Sequence, residues 1–306
     1  MDYIKLLERS AKMIWEHKIL WLFGFLTALG GCGGYNSSFQ FTGGGDSDRA
    51  GERIVEQVES VVEQYLPLII IGALILLFFA IIFLVIAYVA RGGLIAMADA
   101  IDSARPVSLP HGVVAGGRYA LRLFFIDLVL FGPFVLVLSV LVAAVVLLVV
   151  AATGSSSQPL QAAGAVVACL GFAVVAVLLV VLIPVGIFLS VLRLLAHRHA
   201  VLSQAPVFDS IRLGYSLIRR RFADVAIVWL MRLVVGIIIT FVLFVVGLLV
   251  LGIPTALLFF NVILGAVLLA PGLLLMVFLS GIVEAFTSVL WTLAFRELTA
   301  PLHDAG

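Results

Sequence analysis

The chain has 306 residues, 64% of them hydrophobic and 11% charged, with a formal net charge of +1 and a mean hydropathy of +1.28. A water-soluble domain carries about 25% charged residues, so water is excluded as the solvent for most of this surface. The near-neutral balance comes without any basic block interleaved with aromatics, which argues against a nucleic-acid partner, and Cys32 and Cys169 make neither a disulfide framework nor a zinc site by themselves.

The chain opens on an amphipathic helix. Ile4, Leu7, Ala11, Ile14 and Trp15 share one face, while Lys5, Glu8, Arg9, Lys12 and Glu16 fall elsewhere. Asp2 is placed to cap its start, and Glu8 and Lys12 stand four apart. His17-Lys18 then leads into the apolar run 19–29, which is short for a full crossing and reads as tilted or re-entrant. Leu29-Gly30-Gly31-Cys32 has the outline of a lipoprotein cleavage site, which would lipidate Cys32. The long amphipathic lead with its acidic residues is unlike the basic start of a signal peptide. Residues 31–64 form the sizeable outer loop, glycine-rich at first and then an acidic amphipathic helix that extends the next span. Within it, Asp46-Ser47-Asp48-Arg49-Ala50-Gly51 begins like a calcium loop, but Ala50 stands where an oxygen ligand is required and Gln57 where a bidentate Glu is.

Long apolar stretches follow at 65–90, 123–152, 162–192, 222–251 and 255–295. Each exceeds the roughly 20 residues that a spanning helix needs. None alternates as a barrel strand would, and hydrocarbon leaves an open backbone unsatisfied, so the spans are helices. With 19–29 they predict an all-α polytopic bundle of about six spans in a single membrane domain. The last stretch carries Pro271-Gly272 at its middle, where 255–270 would dip in from the outer side before a final span at 272–295.

The connections between spans repeat. Ser103-Ala104-Arg105-Pro106-Val107 matches Ser203-Gln204-Ala205-Pro206-Val207, and each is followed by a Tyr-x-Leu, arginines and an aromatic-acid entry into the next apolar run, at Phe125-Ile126-Asp127 and Phe222-Ala223-Asp224. The N-terminus follows the same plan, so three units of about 100 residues are expected (1–100, 101–200, 201–306), each an interfacial amphipathic helix plus two membrane helices. The third amphipathic helix sets Val207, Phe208, Ile211, Tyr215 and Ile218 against Asp209, Arg212, Ser216 and Arg219. Arg118, Arg122, Arg219, Arg220 and Arg221 are expected against lipid headgroups. Gly112 and Gly116 have close-packing spacing but fall in the predicted 91–122 connection, where that spacing has little weight.

Lysines and arginines put the termini and the 91–122 and 193–221 connections on one side; the other side receives Arg49 and Arg53. The positive-inside rule therefore places both termini in the cytoplasm. Arg232, 11 residues beyond Arg221, and Glu284, 12 before Arg296, would each lie about 16–18 Å deep from that side. A central charge costs at least about 2.5 kcal/mol on insertion scales, so the two are expected to face one another, as a packing pair or as part of a polar pathway. Asp127 and Asp224 are expected as interfacial acidic residues that bond arginines or cap spans. His197-Arg198-His199 reads as interfacial histidines, since positions two apart share no helical face and no third metal ligand is near. Phosphate-loop, zinc-protease and nucleophile-elbow motifs are absent from the sequence, so no catalytic residue, metal or cofactor is expected.

Trp15-Glu16-His17-Lys18-Ile19-Leu20-Trp21-Leu22-Phe23-Gly24 resembles the opening of a group of uncharacterised bacterial membrane proteins. The segment Ala205-Pro206-Val207-Phe208-Asp209-Ser210-Ile211-Arg212-Leu213-Gly214-Tyr215-Ser216-Leu217-Ile218-Arg219 resembles a signature of a wider superfamily that includes the membrane domain of some glycerophosphodiester phosphodiesterases. The resemblance implies a six-helix membrane domain in a bacterial plasma membrane. It implies no activity, because the soluble phosphodiesterase barrel is missing, and it carries over no catalytic residue. Three functions follow as expectations: a non-catalytic scaffold or accessory subunit that engages membrane lipids or a membrane protein partner, a transporter or channel for a small solute or lipid, and a membrane-embedded enzyme.

Overall fold

The computed structural model describes residues 2–30, 48–153 and 158–300, all helix and short connections. Cys32 and the first residues of the calcium-like segment, Asp46 and Ser47, lie outside the described residues. Eight helices are seen among those described: α1 Tyr3–Glu16, α2 Ile19–Gly30, α3 Asp48–Asp102, α4 Leu109–Thr153, α5 Gln158–Leu202, α6 Val207–Arg220, α7 Phe222–Phe260 and α8 Val262–Thr299. Five of them, α3, α4, α5, α7 and α8, are long and apolar enough to cross a membrane, the architecture of a multi-pass membrane protein. α2, with 12 residues, reaches about 18 Å and falls short of the roughly 30 Å hydrocarbon layer.

Two boundaries differ from those expected. The turn in the last apolar stretch falls at Asn261 rather than Pro271-Gly272, and Pro271 sits inside a continuous α8. Asn261 closes both helices: its N–H donates to the Leu257 carbonyl at 2.7 Å, and its side-chain oxygen accepts from the Leu264 N–H at 3.1 Å. That is ordinary N-cap chemistry, and a membrane helix tolerates a proline that its neighbours support. No dip at 255–270 is seen. The second difference is that α3 runs on past Arg91 to Asp102 and α5 past Arg193 to Leu202. The broad 91–122 connection shrinks to 103–108, and the second amphipathic segment is continuous with α4. α1 and α6 do stand apart from the helices that follow them, at His17-Lys18 and at Arg221.

The turns at 103–106 and 203–206 each hold one non-glycine residue in the left-handed region, Ala104 (φ 52°) and Gln204 (φ 53°). Each ends a helix just before Arg105-Pro106 or Ala205-Pro206, where proline cannot continue it.

Burial divides the molecule lengthwise. A packed base gathers α1, α2, α6, residues 87–102 of α3, 109–130 of α4, 189–202 of α5 and 281–298 of α8. Leu20, Met97, Leu123, Leu195, Val289 and Trp291 are fully buried there. Beyond it the long helices turn apolar side chains outward, at 66–85 of α3, 135–147 of α4, 237–249 of α7 and 262–275 of α8.

Small residues let the base close. A Cβ on Gly116 of α4 would lie 2.0 Å from the Val89 carbonyl oxygen of α3, and one on Gly24 of α2 would lie 2.1 Å from the Gly281 carbonyl oxygen of α8. Gly112 and Gly116 are therefore a working close-packing face, contrary to the small weight expected of them. Gly117, next in sequence, meets nothing within 4 Å.

Gly116→Ala is expected to lower thermal stability in detergent by about 1–3 kcal/mol through overpacking. Gly117→Ala should be neutral or stabilise by about 0.4–1 kcal/mol through the unfolded chain. Equal effects would disprove the α3–α4 contact. Gln204→Gly should raise stability by up to about 1 kcal/mol, because glycine relieves the left-handed backbone of its Cβ clash.

Candidate functional site

Where α3, α4 and α5 leave the packed base, one carboxylate collects them. Asp127 on α4 has a side chain 11% exposed. Its Oδ2 accepts from the Tyr88 hydroxyl of α3 at 2.9 Å, and its Oδ1 lies 2.8 Å from Nε2 of His197 on α5. The guanidinium groups of Arg91 and Arg193 stand at 3.7 and 3.8 Å. Tyr88 and Arg91 are three apart on α3, and Arg193 and His197 four apart on α5, so each pair presents one face. The two arginines also lie over aromatic faces, Arg91 over Tyr88 at 5.5 Å and Arg193 over Phe131 at 5.1 Å. A buried carboxylate is stable only when paired and hydrogen-bonded, and here helices on either side meet that demand.

Alongside lies a cavity of about 40 Å³, lined from α2, α3, α5, α7 and α8 and including Arg91, Arg193, His197, Arg198, Arg232 and Glu284. Arg198 is 2% exposed. Its Nη1 donates to the Leu194 carbonyl at 2.6 Å and its Nη2 to the Ser288 carbonyl of α8 at 2.9 Å, while its Nε has no hydrogen-bond partner among the described residues. Arg232 and Glu284 thus share one cavity with Arg198.

The expected depth of those charges looks different from the far side. Beyond Arg91, Arg232 and Glu284 the apolar lengths of α3, α7 and α8 are roughly 22–28 residues, about 33–42 Å. Each is enough to cross the hydrocarbon by itself. The charges form a layer at the root of the apolar helices.

The other residues expected to matter take different places. Asp224, in the first turn of α7, accepts from the Tyr3 hydroxyl of α1 at 3.1 Å. Burial, and then Asp224, push the Tyr3 hydroxyl above the ordinary phenol range. Arg118, Arg219 and Arg220 are exposed and Arg221 is half-buried. Arg122 turns inward, its Nη1 donating to the Gln204 carbonyl at 2.8 Å and so holding the 203–206 turn. His197, Arg198 and His199 are all buried (5%, 2% and 8% exposed), and His199 packs edge-on to Phe295 at 4.7 Å. At the outer edge of the base, Asp102 pairs with Arg9 of α1 and with Arg296 of α8 at 2.7 Å.

Sequence reasoning singled out Asp127 and expected arginines beside it, but not Arg91 and Arg193 by name, and it missed Tyr88 and His197. The available signal was local: Tyr88 with Arg91, and Arg193 with His197, are polar pairs at helical spacing on the ends of apolar runs. Chemically, the cluster can hold a proton between carboxylate and imidazole, and the arginine-lined cavity can hold negative charge. Among the described residues no group of three or more His, Cys, Asp or Glu is arranged to hold a metal ion. No protein-family model, curated protein or solved structure matches the chain.

Asp127→Ala would leave a buried imidazole and two arginines without their carboxylate and is expected to cost about 3–5 kcal/mol. Tyr88→Phe removes one hydrogen bond and should cost about 0.5–1.5 kcal/mol. Thermal unfolding in detergent checks both, and a silent Asp127→Ala would refute the hub.

Proposed function

We propose that this chain is a non-catalytic, multi-pass scaffold or accessory subunit of a bacterial plasma membrane, with its termini in the cytoplasm and membrane lipid as its constant partner. The observation that carries this reading is the lengthwise division of the molecule. Among the described residues the charges of the Asp127 cluster and its cavity gather in one layer, and beyond it the helices offer apolar side chains to their surroundings, with Ile71, Leu76, Ile238 and Leu274 each more than half exposed. A hydrophilic path would need polar lining along that length. The positive-inside rule supports the orientation, because α1, α6 and the arginine-bearing turns all belong to the packed base.

The repeat plan has support in its second and third units: the turns at 104 and 204 each set a left-handed, non-glycine residue, Ala104 and Gln204, two positions before proline, and the matched carboxylates Asp127 and Asp224 each accept a tyrosine hydroxyl. A distant relationship to the phosphodiesterase membrane domains rests on the segment 205–219.

Transport of a small solute is the second reading, favoured by the cavity beside the Tyr88–Asp127–His197 cluster. For an enzyme the same cluster would have to present a bound substrate to His197, whose Nε2 is already engaged by Asp127.

Gentle extraction from the native membrane followed by native mass spectrometry tests the scaffold. A stoichiometric protein companion is the expected result. A solitary chain that also drives solute flux in proteoliposomes would replace this reading with transport.

A further inference from the structure

We propose that the cavity between α5, α7 and α8 is a binding site for a phosphate-class oxyanion, the group carried by a phospholipid headgroup or by free phosphate. The argument begins with charge. Four guanidinium groups, Arg91, Arg193, Arg198 and Arg232, line one cavity. Among the described residues the carboxylates that meet this layer are Asp127, beside Arg91 and Arg193, and Glu284, in the cavity wall. With His197 neutral the layer carries an excess of two positive charges. An excess of that kind is expensive to desolvate, and a bound anion offsets it.

The chemistry of the donors fits. Arginine presents a planar fork of N–H groups that matches phosphate oxygens and outperforms lysine wherever such recognition is needed. Arg198 is preorganised for the role: two main-chain carbonyls from different helices fix its guanidinium, and its buried Nε is an unused donor among the described residues. A buried donor without a partner calls for one. The size fits as well. About 40 Å³ is room for roughly three waters at 10–15 Å³ each, the scale of one tetrahedral oxyanion.

The site also has a route in and a place for a tail. The cavity is partly open to the outside, and α5 and α7, both of which line it, scarcely touch one another among the described residues. Just beyond Arg232, α7 exposes Val234, Ile237, Ile238 and Phe241, an apolar rail beside which an acyl chain can lie while its phosphate rests among the arginines. This inference deepens the lipid partnership proposed above and rests on it only for the source of the phosphate.

The test uses the full-length chain, delipidated in a non-ionic detergent, and two probes: inorganic phosphate against chloride at matched ionic strength, and short-chain phosphatidylglycerol against the diacylglycerol with the same tails. Saturable binding of about one equivalent is expected from one probe or both, read by calorimetry and by thermal shift. Arg232→Gln should weaken it about tenfold, and Glu284→Gln, which removes a competing negative charge, should tighten it about tenfold. Opposite signs cannot come from a general loss of folding. Binding of phosphatidylglycerol without phosphate assigns the site to lipid, and binding of phosphate alone assigns it to the free ion. No saturable binding of either probe, or substitutions that move affinity in the same direction or not at all, would overturn the site. A scaffold without a protein companion would leave these binding curves unchanged, so the two proposals fail separately.

Discussion

A carboxylate removed from water needs partners, and the fold turns on how Asp127 finds them. Its oxygens draw on α3 through Tyr88 and Arg91 and on α5 through Arg193 and His197. Breaking such a pairing leaves an uncompensated charge in a poorly polarisable interior, so the vertical register of three long helices is set at one level. That register explains why α3 continues past Arg91 and α5 past Arg193. If either helix ended at its arginine, the turn would lie where the carboxylate needs rigid support.

Such a hub requires backbones that approach closely, and glycine supplies the approach. Gly116 admits α3 against α4, and the Gly24–Gly281 crossing admits α2 against α8. In lipid these contacts hold helices together by packing, since no hydrophobic gain distinguishes a helix neighbour from an acyl chain. The base is therefore polar at its hub and tightly packed around it, and the apolar lengths that leave it are free to meet lipid. α1 completes the base from outside: Tyr3 reaches Asp224, and Arg9 reaches Asp102.

Much of this was legible in the residue order and some was not, for identifiable reasons. The amphipathic helices α1 and α6 and the apolar stretches announce themselves through periodicity and run length, which are local properties. The number of crossings did not, because a proline-glycine pair and an asparagine compete as turn signals, and the capping geometry at Asn261 is visible only in three dimensions. Gly112 and Gly116 were assigned to a connection because arginines were taken to mark membrane boundaries. Arg91 and Arg193 instead mark the level of a buried carboxylate. The histidines at 197 and 199 gave no sign of burial, since what buries them is Asp127 for one and Phe295 for the other, each distant in sequence. Arg232 and Glu284 stand out by their isolation in apolar sequence, whereas Arg198, which shares their cavity, is hidden between two histidines that read as interfacial.

The seating of the first helices on the last ones has a consequence for how the protein is made. Tyr3 waits for Asp224, 221 residues later, and Gly24 waits for Gly281. At the roughly 5–20 residues per second of translation, α1 exists for on the order of ten to forty seconds before its partner leaves the ribosome. During that interval the apolar face of α1 lacks its seat on α8, while α2 already has α3 to pack against, Gly30 meeting Ala87 and Phe23 meeting Gly93. The nascent chain must park α1 against lipid or an insertion factor, and a chain truncated before α7 would carry its N-terminal helix without that seat.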